Sequence, residues 1–259
     1  MASSLHDADK AWAERFVLAT SPIWILAVAG VVIARVLPGW GDVEYLLFSG
    51  AVAAPAVVGP LVVGRGARVG DPPAPAYWVK LNVWVAIVVV FGTYIGTAYF
   101  FDLMGMRYAF ATKWSLSSPV VGKTDADVPV FMYPLTHAYF MTYFAALSVA
   151  WRTLRAKLHL RTIGSIAALF VLAYALAFAE TFAMATDLMT DLFRYEQRDK
   201  MLALGSFGYA SYFVVGLPMV TRIDADGPWT LGRTALEACA TCMMILALLE
   251  LWAQLVGPL

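Results

Sequence analysis

Three ionisable side chains stand in segments that are otherwise apolar: His137, Glu180 and Glu250. An ionisable group at membrane depth is costly, so each of them is a functional candidate. A carboxyl group in hydrocarbon can keep its proton near neutral pH and donate it, and a neighbouring imidazole can share that proton. This set predicts acid/base chemistry on an apolar molecule rather than hydrolysis.

The composition indicates where such a site would lie. Of the 259 residues, 61% are hydrophobic and 14% are charged, whereas a soluble domain has about 45–50% apolar and about 25% charged residues. The 18 basic and 18 acidic residues cancel, so there is no net positive field to attract a nucleic acid. These values exclude a soluble enzyme and a disordered chain. They predict an all-α, multi-pass integral membrane protein with a single domain over residues 1–259.

The apolar runs are long enough to cross a bilayer as helices, which takes about 20 residues each. Continuous runs of this length are not the alternating, roughly ten-residue strands of a membrane barrel. Seven spans are predicted: Glu14–Leu37, Val43–Gly64, Val79–Phe101, Phe131–Trp151, Thr162–Ala185, Met201–Thr221 and Leu231–Val256.

The depth of each polar group follows from its distance to the end of its helix. At a rise of about 1.5 Å per residue, His137, Glu180, Glu250 and Tyr94 all lie about 8–10 Å from one face of the membrane. Asn82 is expected near the opposite face. The alternative interpretation of such a layer is a buried polar network that holds helices together.

The face of the fifth span that carries Glu180 has small residues at helical spacing, including Ala173 and Ala177. Small side chains leave room either for a partner helix or for a flat apolar ligand. The sequence does not choose between these two uses.

Other motifs do not indicate metal or redox chemistry. The Asp pairs 7/9, 125/127 and 224/226 can in principle hold Mg²⁺, but two carboxylates make a weak site, and solvated loop residues are the expected outcome. Cys239 and Cys242 lie in an apolar helix rather than beside a redox fold. We therefore expect no metal.

The long connection 104–130 is interpreted either as a lid over a pocket or as a plain surface loop.

Several stretches, in order over nearly the whole chain, resemble the cycloeucalenol cycloisomerase (cyclopropylsterol isomerase) family of plants. They are Glu44-Tyr45-Leu46-Leu47, Tyr77-Trp78-Val79-Lys80-Leu81-Asn82-Val83-Trp84, Thr97-Ala98-Tyr99-Phe100-Phe101, Leu135-Thr136-His137, Ala179-Glu180-Thr181, Tyr212-Phe213-Val214-Val215-Gly216-Leu217-Pro218-Met219, Arg222-Ile223-Asp224, and Leu251-Trp252 followed by Gly257-Pro258.

This resemblance implies an enzyme of sterol biosynthesis that opens the 9β,19-cyclopropane ring of a cyclopropyl sterol and leaves an 8,9 double bond, as in the conversion of cycloeucalenol to obtusifoliol. It implies no cofactor. The expected partner is a membrane-dissolved sterol, with no nucleic acid and no obligate protein partner. The membrane would be the inner membrane in a bacterium or the endoplasmic reticulum in a eukaryote.

The family supplies no residue roles, so these come from the depth argument. Protonated Glu180, coupled to His137, is predicted to protonate C19, and the second member of that pair, or Glu250, to accept the C8 proton. The sterol slot is predicted to be lined by Asn82, Trp84, Tyr94, Tyr139 and Tyr143. Their aromatic faces can stabilise a transient cation, although aromatic residues also serve core packing.

Two other functions fit the same residues. A sterol isomerase that shifts a double bond between positions 8 and 7 needs the same acid and base in an apolar slot. A non-catalytic sterol-binding or transport protein needs the slot alone.

Overall fold

The computed structural model describes residues 2–70, 73–118 and 127–259, and helices dominate these ranges. The α-helices are α1 (Ala2–Ile33), α2 (Asp42–Val57), α3 (Gly59–Val62), α4 (Tyr77–Phe91), α5 (Thr97–Asp102), α6 (Met132–Lys157), α7 (Thr162–Met184), α8 (Arg198–Lys200), α9 (Ser206–Thr221) and α10 (Leu231–Val256). Two widened π-helical turns interrupt this pattern. Gly92–Gly96 joins α4 to α5, and Met201–Gly205 joins α8 to α9.

Short strands pair in the connections between helices. They are β1 (Arg68–Val69), β2 (Ala74–Pro75), β3 (Met106–Tyr108), β4 (Ser115–Leu116), β5 (Val128–Pro129) and β6 (Phe193–Tyr195). The antiparallel pairs are β1–β2, β3–β6 and β4–β5. The β3–β6 pair joins connections far apart in sequence, with Met106 opposite Tyr195 and Tyr108 opposite Phe193.

The predicted fold class, an all-α membrane bundle, is confirmed. Within the described residues, five helical segments are long and apolar enough to cross a membrane: His6–Ile33, Tyr77–Asp102, Thr162–Met184, Arg198–Thr221 and Leu231–Val256. They correspond to the first, third, fifth, sixth and seventh predicted spans.

The second and fourth predicted spans are also helical, but α2 is too short and α6 is not apolar enough to be counted with these five. Helix α2 has 16 residues and ends at Val57, just before the short helix α3. Helix α6 has 26 residues, but polar side chains in its first half, such as Thr136, His137 and Thr142, lower its mean hydropathy. The count of seven spans therefore stays a prediction.

Helix α6 is the centre of the bundle, since α1, α2, α4, α7 and α9 all pack against it, while α10 packs against α4 and α9. Aromatic side chains fill these contacts. The Trp84 and Phe144 rings meet edge to face with centroids 4.9 Å apart, and Phe213 lies against Phe144. Such pairs contribute about 0.5–1.5 kcal/mol beyond the area that they bury.

Ion pairs tie together segments that are far apart in sequence, among them Arg65–Asp9 at 2.8 Å, Arg152–Glu14 at 2.5 Å and Lys80–Asp224 at 2.6 Å. The side chains of Lys80 and Asp224 are 0% and 3% exposed, so this pair is fully buried. Asp224 also accepts a hydrogen bond from the Trp229 backbone N–H at 2.7 Å, which fixes the turn between α9 and α10.

Candidate active site

A cavity with an empty volume of about 740 Å³, part of it open to the outside, lies among α4, α6, α7 and α9. Its lining is mainly apolar and aromatic, with a few hydroxyl groups and one acid: Val88, Val89, Gly92, Thr93, Thr97, Phe100, Met106, Tyr108, Phe110, Met132, Thr136, Tyr139, Phe140, Glu180, Met184, Phe193, Tyr195, Tyr209 and Tyr212. The cavity therefore suits a hydrophobic molecule.

Glu180 is the acid in this lining, on the last turns of α7. Tyr209 of α9 donates a hydrogen bond from its hydroxyl to Glu180 Oε2 at 2.5 Å. The Tyr143 phenol of α6 is close to the same carboxyl group. Among the residues that the structure describes, Glu180 forms no ion pair with a basic side chain. It is thus held by phenols inside an otherwise apolar chamber.

The small-residue face of α7 explains how Glu180 reaches the cavity. Ala173 and Ala177 are completely buried, and α7 packs closely against α9. Of the two uses that the sequence left open for these small residues, a partner helix or a flat apolar ligand, the structure shows the partner helix at Ala173 and Ala177. At Glu180, one turn beyond Ala177, the same face meets the cavity, and Met184 continues the wall one turn later.

The π-turn Gly92–Gly96 receives the Tyr212 side chain of α9. A Cβ atom at Gly96 would lie 2.0 Å from Tyr212 Oη, and one at Gly92 would lie 2.9 Å from Tyr212 Cε1. Both positions therefore need glycine for the phenol to fit. Tyr212 Oη is buried without a hydrogen-bond partner among the described residues, which costs about 1–3 kcal/mol. π-Turns of this kind are frequent at functional sites.

The β3–β6 pair forms a cover over one end of the cavity. Met106, Tyr108, Phe193 and Tyr195 all contribute to the lining. Burial raises the pKa of the Tyr108 and Tyr195 hydroxyls, so both remain neutral in the physiological range. Met106 and Tyr108 belong to the connection 104–130, so part of this connection lies at the cavity wall. Its use as a lid stays a prediction, and residues 119–126 lie outside the described part of the chain.

The hydrogen bonds that the structure gives to Glu180 and His137 do not join these two residues as predicted. His137 Nε2 is 2.9 Å from Asn82 Oδ1, and the Asn82 amide donates to the Ala56 and Trp78 carbonyls at 3.0 and 2.9 Å. Neither His137 nor Asn82 lines the cavity. His137 and Asn82 were expected near opposite faces of the membrane, yet their side chains are hydrogen-bonded. The depth estimate therefore fails for these two residues. The contact matches the alternative interpretation, a polar network between helices.

The other candidates divide between the cavity and its surroundings. Glu250 is exposed on α10 and accepts a hydrogen bond from Tyr99, so it does not share a chamber with Glu180 as expected. Trp84 is completely buried against Phe144, and it does not line the slot. Tyr94 lies in the π-turn but not in the lining.

Two predicted aromatic residues are at the site. Tyr139 lines the cavity and shares a hydrogen bond of 2.9 Å with Thr136, and Tyr143 lies beside Glu180. The sequence argument missed Tyr209 and Tyr212. Their three-residue spacing places them on one face of a helix, and this was the signal available.

The Asp pairs are engaged elsewhere. Asp9 and Asp224 are buried in ion pairs rather than solvated in loops, which corrects that expectation. Asp125 lies outside the described residues. No cluster of three His, Cys, Asp or Glu side chains that could hold a metal occurs in residues 2–70, 73–118 and 127–259. Cys239 and Cys242 are free thiols.

Comparison with known proteins gives one informative match. No protein-family profile matches the chain, and no solved structure is similar to it. The chain is 31% identical over 260 aligned residues to cycloeucalenol cycloisomerase of Arabidopsis thaliana, an alignment that covers 97% of this chain and 88% of the relative. The chain therefore belongs to the cycloeucalenol cycloisomerase family, which confirms the resemblance carried by its sequence motifs.

Proposed function

We propose that the protein is a membrane isomerase that opens the 9β,19-cyclopropane ring of a cyclopropyl sterol, in a reaction of the cycloeucalenol-to-obtusifoliol type. The observation that carries this proposal is a carboxyl group, Glu180, in the wall of a mainly apolar and aromatic cavity. Membership in a family named for an isomerase supports it.

The first step uses Glu180 as the acid. Its carboxyl group gives a proton to C19, the C9–C19 bond breaks, and the electron pair of that bond forms the new C–H bond. Positive charge then develops at C9. The hydroxyl of Tyr209, at 2.5 Å, stabilises the carboxylate that remains on Glu180. Aromatic rings of the lining, such as Phe100 and Phe140, face the cation.

The second step returns the proton to the same group. The C8–H bond breaks, its electron pair forms the C8–C9 double bond, and the Glu180 carboxylate accepts the proton. C19 and C8 are both bonded to C9, so the two oxygens of one carboxyl group can serve both positions. The atoms balance without an oxidant, reductant or metal. This assignment replaces His137 and Glu250 as bases, because neither lines the cavity.

The direct test is turnover of the purified chain with cycloeucalenol in D₂O, read by mass spectrometry. A carboxyl proton exchanges with solvent between turnovers, so we expect one deuterium in the new C19 methyl group of the product. Unchanged sterol, with cycloartenol and 4-demethyl analogues also inert, would exclude ring opening and leave the double-bond isomerase or a sterol-binding protein.

His137 provides a second test, which separates a structural role from a catalytic one. His137→Phe leaves Asn82 Oδ1 without its partner inside the bundle, and we expect a loss of about 1–3 kcal/mol in the free energy of unfolding. The turnover rate per folded molecule should change less than about threefold. A threefold change in rate corresponds to about 0.6 kcal/mol of transition-state stabilisation. A loss of turnover as large as that of a Glu180 variant would restore His137 to the catalytic group.

A further inference from the structure

The wall of the cavity contains a side chain whose hydroxyl group the proposed reaction does not use, Tyr212. The side chain lines the cavity and is 2% exposed, and Oη has no hydrogen-bond partner among the described residues. Thr93 of the facing π-turn lines the same region and is 5% exposed. The other phenols nearby are engaged, as Tyr139 is bonded to Thr136 and Tyr209 to Glu180.

The backbone of the π-turn Gly92–Gly96 determines where this hydroxyl group lies. The phenol occupies space that a side chain at Gly92 or Gly96 would fill, so the π-turn and its two glycines admit it. A buried hydroxyl is expected to have a partner. An apolar ligand with one hydroxyl group would supply that partner when it fills the cavity.

We infer that Tyr212, set in the π-turn Gly92–Gly96, binds the 3-hydroxyl group of the sterol and so fixes which end of the molecule lies at that turn. This inference rests on the proposed function and names the polar contact that orients its substrate.

Helix α9 makes the orientation rigid. It carries Tyr212 and Tyr209 three residues apart, with ring centroids separated by 5.9 Å. Tyr209 holds Glu180 while Tyr212 holds the sterol hydroxyl. The fused rings of a sterol keep the 3-hydroxyl and the cyclopropane at a fixed separation. One helix thus sets the position of the acid relative to the reacting bond.

The test is equilibrium binding of the product-type sterol obtusifoliol, which keeps the 3-hydroxyl group and is not converted further, and of its 3-deoxy analogue to the purified full-length chain in detergent. For the wild type we expect the hydroxylated sterol to bind about tenfold more tightly, the factor associated with one net hydrogen bond. In Tyr212→Phe this ratio should fall to about twofold or less. The different solubility of the two ligands in the micelle cancels when this ratio is compared between the wild type and the variant.

Stability gives an independent readout. Removing an unpartnered hydroxyl should leave the unfolding midpoint of Tyr212→Phe unchanged or higher, whereas a structural role would lower it. Tyr174→Phe is the matched control, because Tyr174 packs against Phe178 and Phe207 and does not line the cavity. It should keep the wild-type binding ratio.

A second variant approaches the same contact from the other side. Gly96→Ala places a methyl group against Tyr212 Oη, so it should also lower the binding ratio. Adding Tyr212→Phe removes that clash and should recover part of the stability that Gly96→Ala loses.

The inference is wrong if the wild type does not discriminate between the two sterols, or if Tyr212→Phe discriminates as the wild type does. Binding needs no turnover, so this result is separate from the fate of the proposed reaction. The D₂O experiment in turn tests ring opening without any change at Tyr212.

Discussion

Replacing Glu180 by glutamine is expected to lower the turnover of cycloeucalenol by about 10²–10⁴-fold, the usual contribution of a general acid or base. Glutamine has nearly the same shape and can still accept the hydrogen bond from Tyr209. It has no acidic proton to deliver to C19 and cannot take one from C8. Because the shape of the side chain is nearly unchanged, the dissociation constant of the sterol should stay within about threefold of the wild-type value. Such a change corresponds to less than about 1 kcal/mol of binding free energy.

The matched control is Glu250→Gln. Glu250 is also a carboxyl group in a predicted span, but it lies on the exposed side of α10 and interacts with Tyr99. Its variant should keep most of the wild-type turnover. If Glu250→Gln is inactive and Glu180→Gln is active, the acid has been assigned to the wrong helix. If Glu180→Gln loses sterol binding as well as turnover, its effect is not specific to proton transfer.

Removing Lys80 is expected to cause the largest loss of stability. In Lys80→Met the carboxylate of Asp224 remains buried, with the Trp229 N–H as its remaining hydrogen-bond donor among the described residues. Breaking a buried pair on one side typically costs about 3–5 kcal/mol. The free energy of unfolding, measured by chemical or thermal unfolding in one detergent, should fall by about this amount.

Two variants show whether the buried charge is the cause. Asp199→Asn alters an ion pair whose acid is 97% exposed, so we expect a change within about 0.5 kcal/mol. The double variant Lys80→Met/Asp224→Asn removes both charges and should be more stable than Lys80→Met alone. Asparagine also tolerates the positive φ of 62° at Asp224. Equal losses for Lys80→Met and Asp199→Asn would contradict this account.

The sequence was sufficient for the fold class and the family. Long apolar runs have few stable alternatives to helices in a bilayer, because every backbone polar group must be satisfied within the segment. The predicted spans beginning at Thr162 and Leu231 therefore match α7 and α10 closely. The fourth span was harder to place, since α6 continues to Lys157 beyond its apolar part.

The arrangement of the site could not be derived in the same way. Depth along a helix is one coordinate, and it does not say which way a side chain points around the axis. Glu180 and His137 share an expected depth, yet they face different neighbours, Tyr209 and Asn82. The estimate also assumed that all helices start at one plane, and the bond between His137 and Asn82 shows that they do not.

The residues that were missed depend on the local backbone. Gly92 and Gly96 have the spacing of a small-residue contact between helices, but here the group that approaches is the ring of Tyr212. The residue types of this segment do not indicate that it forms a π-helical turn. The cover formed by β3 and β6 likewise depends on pairing between two connections about 90 residues apart, as in Met106 opposite Tyr195.

That cover has a consequence for the product. Under the proposed reaction, a tertiary carbocation in contact with water would be trapped as an alcohol instead of losing its C8 proton. The groups that Met106, Tyr108, Phe193 and Tyr195 add to the lining of the chamber are a thioether and aromatic rings. Excluding water from a reactive intermediate suppresses such side products. The small antiparallel pair thus favours an alkene over a hydrated sterol, and one of its two strands, β3, comes from a connection far from the acid in sequence.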